Sequence, residues 1–312
     1  MQAIVRVAIG VLGVLVLAGY LGALHPSLDS LALFRVPLSA LMALCALLPF
    51  APSLWRLGAG LAALLTFGFW LLPVLNQSQG TPQITLFQKN LWYGNTQIED
   101  LAEQILEADM DVVTLQEISQ GNRQILDLLS KSYPHQHICQ FDHRSGVGVL
   151  SKLPPTNAQP ECSDRKAFAA LQIEGSAGPV WIVAVHLPWP YPRQQLPRVR
   201  ANEDLLTSLE GPKVMVGDFN NLSWAHSVTR MARATGTRVV GPLGPTLRIN
   251  AATLLERGFY PGSVKAPGES LKERLTQVGL RIDMVLAQTG RVTRLGLTGS
   301  DHKSLVAEVN YK

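Results

Sequence analysis

The sequence predicts an α/β protein whose mixed sheets pack between helices, preceded by three apolar helices. Three observations carry this. The first 75 residues hold only four charges, Arg6, Asp29, Arg35 and Arg56, while the rest has the composition of an ordinary soluble domain. In that second part, apolar strand-like runs first alternate with helical patterns and then cluster in pairs. Carboxylates, amides and imidazoles recur at the ends of those runs.

The apolar stretches cover about 4–24, 32–50 and 54–75, separated by HPSLDS and APS. Each is long enough for a bilayer, which needs roughly 20 mostly apolar residues. The first lacks a small-x-small cleavage site and two more stretches follow at once, so it is not read as a cleaved signal. His25, Asp29 and the nearby prolines then read as loop residues. Arg6 and Arg56 fall on one side if the amino terminus is cytoplasmic, Arg35 argues the other way, and no Lys or Arg follows until Lys89. Positive-inside counting favours an inside amino terminus. Three spans then place the large domain outside the cytoplasm, on the periplasmic face of a bacterial-type inner membrane.

Residues 1–75 are therefore expected to be a membrane anchor, 76–83 (NQSQGTPQ) a linker and 84–312 one soluble domain. ITLFQKN (84–90) is a strand pattern ending in polar residues. Thr96 and Glu99 form a capping-box pattern, and Ile98, Leu101, Ile105 and Leu106 recur at helical spacing, which predicts a helix over 97–109. DVVTLQE (111–117) reads as a strand and GNRQILDLLSKS as a second helix. HQHICQF, GVGVLSK, FAALQIE and VWIVAVH read as strands, and a helix is expected from Val199 to Leu209. KVMVGDFNN is a strand breaking into a polar turn, SWAHSVTRMARAT a helix, and RIDMVLA, RVTRLGL and KSLVAEV close the chain as strands. Residues 240–280 are rich in Gly and Pro and poorly patterned.

From Asn76 onward the chain has 24 Lys+Arg and 22 Asp+Glu, too balanced for a strong nucleic-acid footprint. Cys139 and Cys162 fit either one disulfide in an exported domain or two separate small core residues.

Asn90, Glu117, His186, Asp218 and Asn220 each end an apolar run; Asp283 opens one and Asp301-His302 precede another. Singly, each has a bland reading as a turn or core residue. Eight together, on ends that a sheet gathers, point to a site.

FQKNLWYGN, VVTLQEIS, GVGVLSK, VHLP, VMVGDFNN, RIDMV and GSDHKSLVAEV resemble, in that order, the endonuclease/exonuclease/phosphatase superfamily over roughly residues 84–310. The resemblance implies a four-layered α/β sandwich and phosphoester hydrolysis with Mg²⁺ or Mn²⁺. It implies that Glu117, helped by Asn90 and Asp301, holds the metal, since hard cations take oxygen ligands. Asp218 would orient and deprotonate the attacking water, with Asn220 holding that water or a phosphoryl oxygen. His186 and His302 would donate to the phosphate as charge develops. Asp283 would pair with His302, fixing its tautomer and raising its pKa. Met284 stands where the family often has a histidine.

In HLPWPYPRQQLPRVR (186–200), Trp189 and Tyr191 suit a membrane interface, and Arg193, Arg198 and Arg200 suit phosphate. The same set suits stacked bases and a nucleic-acid backbone. Arg248 and Lys265 read first as solvated surface charges, with contact to a phosphate head group as the alternative. Tethering to the bilayer raises the effective concentration of a lipid substrate. The expected activity is therefore hydrolysis of a lipid-linked or small extracytoplasmic phosphoester. A membrane-anchored extracytoplasmic nuclease is the alternative, and an inactive membrane scaffold the alternative of another class.

Overall fold

The runs read as strands are rich in Val, Ile, Leu and Ala, and in the computed structural model most are buried along their length. The structure describes residues 2–49, 51–78, 80–164, 166–241, 244–250 and 277–312. One six-stranded sheet contains β1 (Ile84–Asn90), β2 (Val112–Ile118), β3 (His135–Gln140), β4 (Gly146–Ser151), β13 (Thr289–Arg294) and β14 (Leu305–Asn310), in the order β13-β14-β1-β2-β4-β3. The other contains β5 (Glu161–Cys162), β6 (Phe168–Gly175), β7 (Gly178–His186), β8 (Lys213–Asp218), β9 (Arg238–Val240) and β12 (Asp283–Ala287), in the order β5-β6-β7-β8-β12-β9. β10 (Leu247–Asn250) and β11 (Gln277–Leu280) form a separate antiparallel pair, which Leu247 bridges to His302.

Both sheets are mixed. β1 pairs with β2 in parallel across helix α5 (Ile98–Ala108), and β7 with β8 in parallel across α7 (Gln195–Ala201) and α8 (Glu203–Ser208). A parallel pair needs such a crossover. Ile84, Leu86, Val112 and Val149 of the first sheet meet Leu171, Ile182, Val214 and Val285 of the second. On the outer faces, α5 and α6 (Gln124–Leu129) bury Leu101, Ile105 and Leu129 against Phe87 and Leu115. α7, α8 and α9 (His226–Thr235) bury Val199, Leu206 and Met231 against Val183 and Met215. Helix, sheet, sheet and helix make the expected four-layered sandwich.

Local expectations shift in two places. The capping box does not form: Gln97 is the N-cap without a side-chain bond, and Asn95 Oδ1 accepts the Gln97 N–H at 2.8 Å instead. The helix expected from Val199 starts at Gln195, because Pro197 is tolerated in a first turn whose N–H groups need no partner. It breaks at Asn202, and α8 follows.

The amino-terminal region folds as α1 (Gln2–Ala18), α2 (Pro26–Ser30), a 3₁₀ turn at Leu31–Phe34, α3 (Arg35–Ala46) and α4 (Ser53–Leu75). Among the described residues two runs, Pro26–Ala46 and Ser53–Leu75, are long and apolar enough to cross a membrane, not the three expected. α1 has 17 residues, about 26 Å at the α-helical rise. It ends where the carbonyl of Gly19 is captured by the Arg35 guanidinium. The helices share a seam of Val5, Ile9, Met42 and Ala59. Asp29, expected in a loop, is 2% exposed and accepts the N–H groups of His226 (2.6 Å) and Ser227 (3.1 Å), so it caps α9. Trp224 Nε1 donates to the Ala32 carbonyl at 2.9 Å.

Cys139 and Cys162 form a disulfide that staples β3 of one sheet to β5 of the other. His137 lies close to both sulfurs, but sulfurs joined to each other are not thiolate ligands.

Candidate active site

The crossovers bring the polar ends of β1, β2, β7 and β8 to one edge of the sandwich, where the loop before β14 joins them. Glu117, His186, Asp218, Asn220, Asp301 and His302 line one cavity of about 370 Å³ there. Asn90 and Asp283 lie beneath it, 0% and 2% exposed. All eight residues singled out from the sequence thus meet.

Backbone geometry aims them. The β2–β4 register slips between Gln116 and Ile118, and Glu117 sits in that bulge with φ +56°. A bulge at a strand end re-aims a side chain. Gly217 has φ +151°, and a Cβ there would lie 2.1 Å from the Val185 carbonyl oxygen, so only glycine lets β8 run so close to β7 before Asp218. Asn220, at φ +47°, is of a residue type that tolerates the left-handed region.

The hydrogen bonds form one network. Asp218 accepts the Asn220 backbone N–H (2.8 Å) and the amide groups of Asn90 and Asn220 (both 3.1 Å). Asn90 also donates to Glu117 at 3.2 Å, and its oxygen accepts the Trp92 N–H, so it ties two carboxylates together. Glu117 further accepts the Tyr93 N–H. His302 Nδ1 meets Asp283 Oδ2 at 2.8 Å, and Gln88 donates to the other oxygen of Asp283.

Electrostatics separate the two histidines. Burial works against a charge on His302, but the carboxylates of Asp283, Asp301 and Asp218 outweigh it and hold its pKa up at about 10. Burial, reinforced by the charge on His302, lowers His186 to about 4. His186 is therefore neutral at pH 7, and its 3.8 Å approaches to Glu117 and Asp218 are not ion pairs. Burial raises Glu117, Asp218 and Asp301, and neighbouring carboxylates add to that.

This crowding tests whether a cation fits. Asp301 Oδ1 is buried without a hydrogen-bond partner. With Glu117 in the same cavity, the set offers carboxylate oxygens to a hard divalent cation. The side chains of Asp218, Asp283 and His302 also cluster within 4.8 Å. There, however, His302 Nδ1 is taken up by Asp283 at 2.8 Å and its Nε2 stands 3.9 Å from Asp218, and the raised pKa of the ring disfavours it as a metal ligand.

Several contributors were missed in the sequence. Lys89, 0% exposed, donates to the carbonyls of Leu297 and His302 (2.7 Å to the latter) and so anchors the 299–302 turn. Burial lowers its pKa to about 7, with Asp283 and Asp301 opposing. Ser300 Oγ donates to the Asn90 carbonyl at 2.9 Å and accepts the His302 N–H at 3.0 Å. The one signal was three successive polar residues, Gln88-Lys89-Asn90, ending a buried strand. Lys89→Met leaves the His302 carbonyl without its donor, at about 1–3 kcal/mol, while the Leu297 carbonyl keeps the Ser300 N–H. It is expected to lower kcat about tenfold through misplacement of Asp301 and His302, and steady-state kinetics with a thermal melt check this.

Of the other expected contacts, Trp189 and Arg198 line the cavity, together with Trp92, Tyr93 and Lys166. Arg200 donates instead to the Ala23 carbonyl, Tyr191 stands against His25, and Arg248 reaches Gln277. Lys265 lies outside the described residues.

No curated protein matches the chain. Among solved structures, an AP endonuclease from Archaeoglobus fulgidus is similar at 13% identity, covering 73% of this chain and 99% of that one, with a TM-score of 0.50. A Staphylococcus aureus beta toxin variant with bound magnesium ions is also similar (13% identity, 73% and 100% covered, TM-score 0.49). Truncated Caenorhabditis elegans TDP2 is a third (14% identity, 72% and 96% covered, TM-score 0.44). At such identities the likeness is one of fold. Residues 87–302, more than two-thirds of the chain, match the endonuclease/exonuclease/phosphatase family, and the chain belongs to it.

Proposed function

We propose that this protein is a membrane-anchored, divalent-cation-dependent phosphoester hydrolase. The observation that carries the reading is the crowd of buried carboxylates around the partnerless oxygen of Asp301, beside one charged and one neutral histidine. Glu117 and Asp301 would hold Mg²⁺ or Mn²⁺, with Asn90 steadying Glu117. Bound there, such an ion supplies charge neutralisation at the phosphate and the leaving oxygen. Asp218 orients a water and takes its proton, and Asn220 fixes that base through two bonds. The water oxygen bonds to phosphorus in line as the ester P–O bond breaks. His302, charged, and His186, neutral, each donate an N–H to phosphoryl oxygens. Asp283 keeps the His302 tautomer and charge.

The reading places 1–75 in the membrane as anchor, 76–83 as connector and 84–312 as catalytic domain, outside the cytoplasm. All but four of the exposed large apolar side chains among the described residues precede Asn76, which supports a lipid-facing surface. The disulfide supports an oxidising compartment. Arg56 donates to the Leu48 and Pro49 carbonyls between α3 and α4, whereas Arg35 contacts the Trp224 carbonyl beside the catalytic layers. Arg35 thus serves the junction and carries little weight in charge counting. An alkaline phosphatase fused after Lys312 is expected to be active and a fluorescent cytoplasmic reporter dark; the reverse pair would overturn the placement.

A lipid-linked or small extracytoplasmic phosphoester is the preferred substrate. Trp189 lines the cavity and also packs in a cluster with Leu33 of the amino-terminal region, so the site mouth adjoins the anchor. The aromatic and basic rim of Trp92, Tyr93, Lys166 and Arg198 favours the second reading, a nuclease. Purified full-length protein and His302→Ala, each with Mg²⁺, are given mixed phospholipid vesicles and supercoiled plasmid. Head-group or phosphate release lost in the variant is expected. Plasmid nicking lost in the variant makes the protein a nuclease instead, and silence on both sinks the preferred substrates.

A further inference from the structure

A second cavity, of about 460 Å³, lies where the end of α4 meets α9 and β9. It shares no lining residue with the catalytic cavity. Its walls differ in character. Tyr20, Phe69 and Leu72 come from the apolar region, whereas Arg233 and Arg238 come from the catalytic layers, and Arg35 sits between. Among the described residues no carboxylate lines it.

Arg35 is 5% exposed, stacks 4.0 Å over the Tyr20 ring and donates to the Gly19 and Trp224 carbonyls. The nearby Asp29 carboxylate is committed to the first N–H groups of α9. Arg233 and Arg238 are exposed and have no carboxylate partner among the described residues. The joint itself is fixed: Asn76 donates to the Val239 carbonyl at 2.8 Å, and the Gly241 N–H to the Pro73 carbonyl at 3.3 Å. The cavity is therefore a built feature with cationic and apolar walls and no counter-charge.

Height decides what fills it. α4 has 23 residues, about 34 Å long, against a hydrocarbon core of about 30 Å. Its carboxyl end, and with it the arginine wall, falls at the level of lipid phosphates.

We propose that this cavity binds one anionic phospholipid, its phosphate between Arg233 and Arg238 and an acyl chain along Phe69 and Leu72. The lipid bridges anchor and catalytic layers and fixes how the active site faces the bilayer. The proposal rests on the membrane reading above but not on the hydrolytic one.

The test is titration of full-length protein in detergent with phosphatidylglycerol, read by native mass spectrometry. The variants are the double substitution Arg233→Glu with Arg238→Glu, and Thr229→Trp, which fills the cavity from α9 without changing charge. Both should retain the wild-type melt and the hydrolysis of a soluble aryl phosphodiester. Wild type is expected to bind one lipid. The charge reversals are expected to weaken it about 30-fold, from about 1 kcal/mol for each arginine. Thr229→Trp should weaken it comparably, and soluble glycerophosphoglycerol or inorganic phosphate should bind at least about 100-fold more weakly for want of acyl chains. Equal lipid binding by wild type and both folded variants overturns the site, whereas phosphate binding as tight as lipid makes it an ion site only. Release of the chain from membranes by alkaline carbonate removes the anchor reading and this proposal with it; retention with unchanged binding removes only the proposal.

Discussion

Asp218→Asn is expected to lower kcat by about 10³-fold or more, within the span of a lost general base, while leaving Tm within about 4 °C. Asp218 is 1% exposed, and burial together with Asp283 and Glu117 raises its pKa. Two opposing effects keep the change in stability small. A raised carboxyl pKa means stability present below the unfolded value and lost as pH rises through the folded one, so ionising Asp218 burdens the fold and Asn removes that burden. Against this, an amide nitrogen at Oδ2 would face the donors of Asn90 and Asn220. Chelation or removal of a ligand carboxylate should separate from this behaviour. Mg²⁺ should raise the Tm of wild type and of Asp218→Asn, but not that of Glu117→Gln combined with Asp301→Asn. Turnover within tenfold of wild type in Asp218→Asn would remove the assigned base.

Asp283→Asn is expected to move the alkaline limb of kcat/KM to lower pH and to cost about 10²-fold in rate near pH 9. His302 is held up at about 10 because Asp283, Asp301 and Asp218 together outweigh its burial. A raised histidine pKa contributes stability fully present below the unfolded value near 6.5 and lost as pH rises through about 10. The His302 contribution to stability should therefore decline over pH 6.5–10, against an opposing rise from Lys89, whose pKa burial lowers to about 7, and the difference between wild type and variant should report the His302 part. With Asp283 neutral, burial weighs more and the imidazole loses its proton earlier. Imidazole NMR titration and the pH–rate profile check this. An unmoved alkaline limb would mean that His302 does not act as the charged donor.

Much of this was legible in the sequence, for reasons that differ by element. Strands such as 84–90 and 180–186 declare themselves because they are buried on both faces, which demands unbroken apolar runs. α5 declares itself by helical spacing of Ile98, Leu101 and Ile105, although its cap did not, because the helix starts one residue later with Gln97 as N-cap, held by Asn95 Oδ1 on its N–H. The eight site residues could be picked out because polar groups at the ends of apolar strands, bland one by one, are coherent together.

By itself, then, the sequence determined the α/β class, the apolar amino-terminal region and the identities of the residues that meet at the site, all of them properties of local composition and period. Only the tertiary structure decided that α1 ends at Ala18, that Cys139 pairs with Cys162, that Lys89 holds the turn of Asp301 and His302, and that Asp29 caps a helix 197 residues away. The physical reason is common to most of these. A buried polar group must find a partner, and in this fold the partner lies up to some 200 residues distant, brought close by strand pairing and helix packing rather than by anything periodic in the chain.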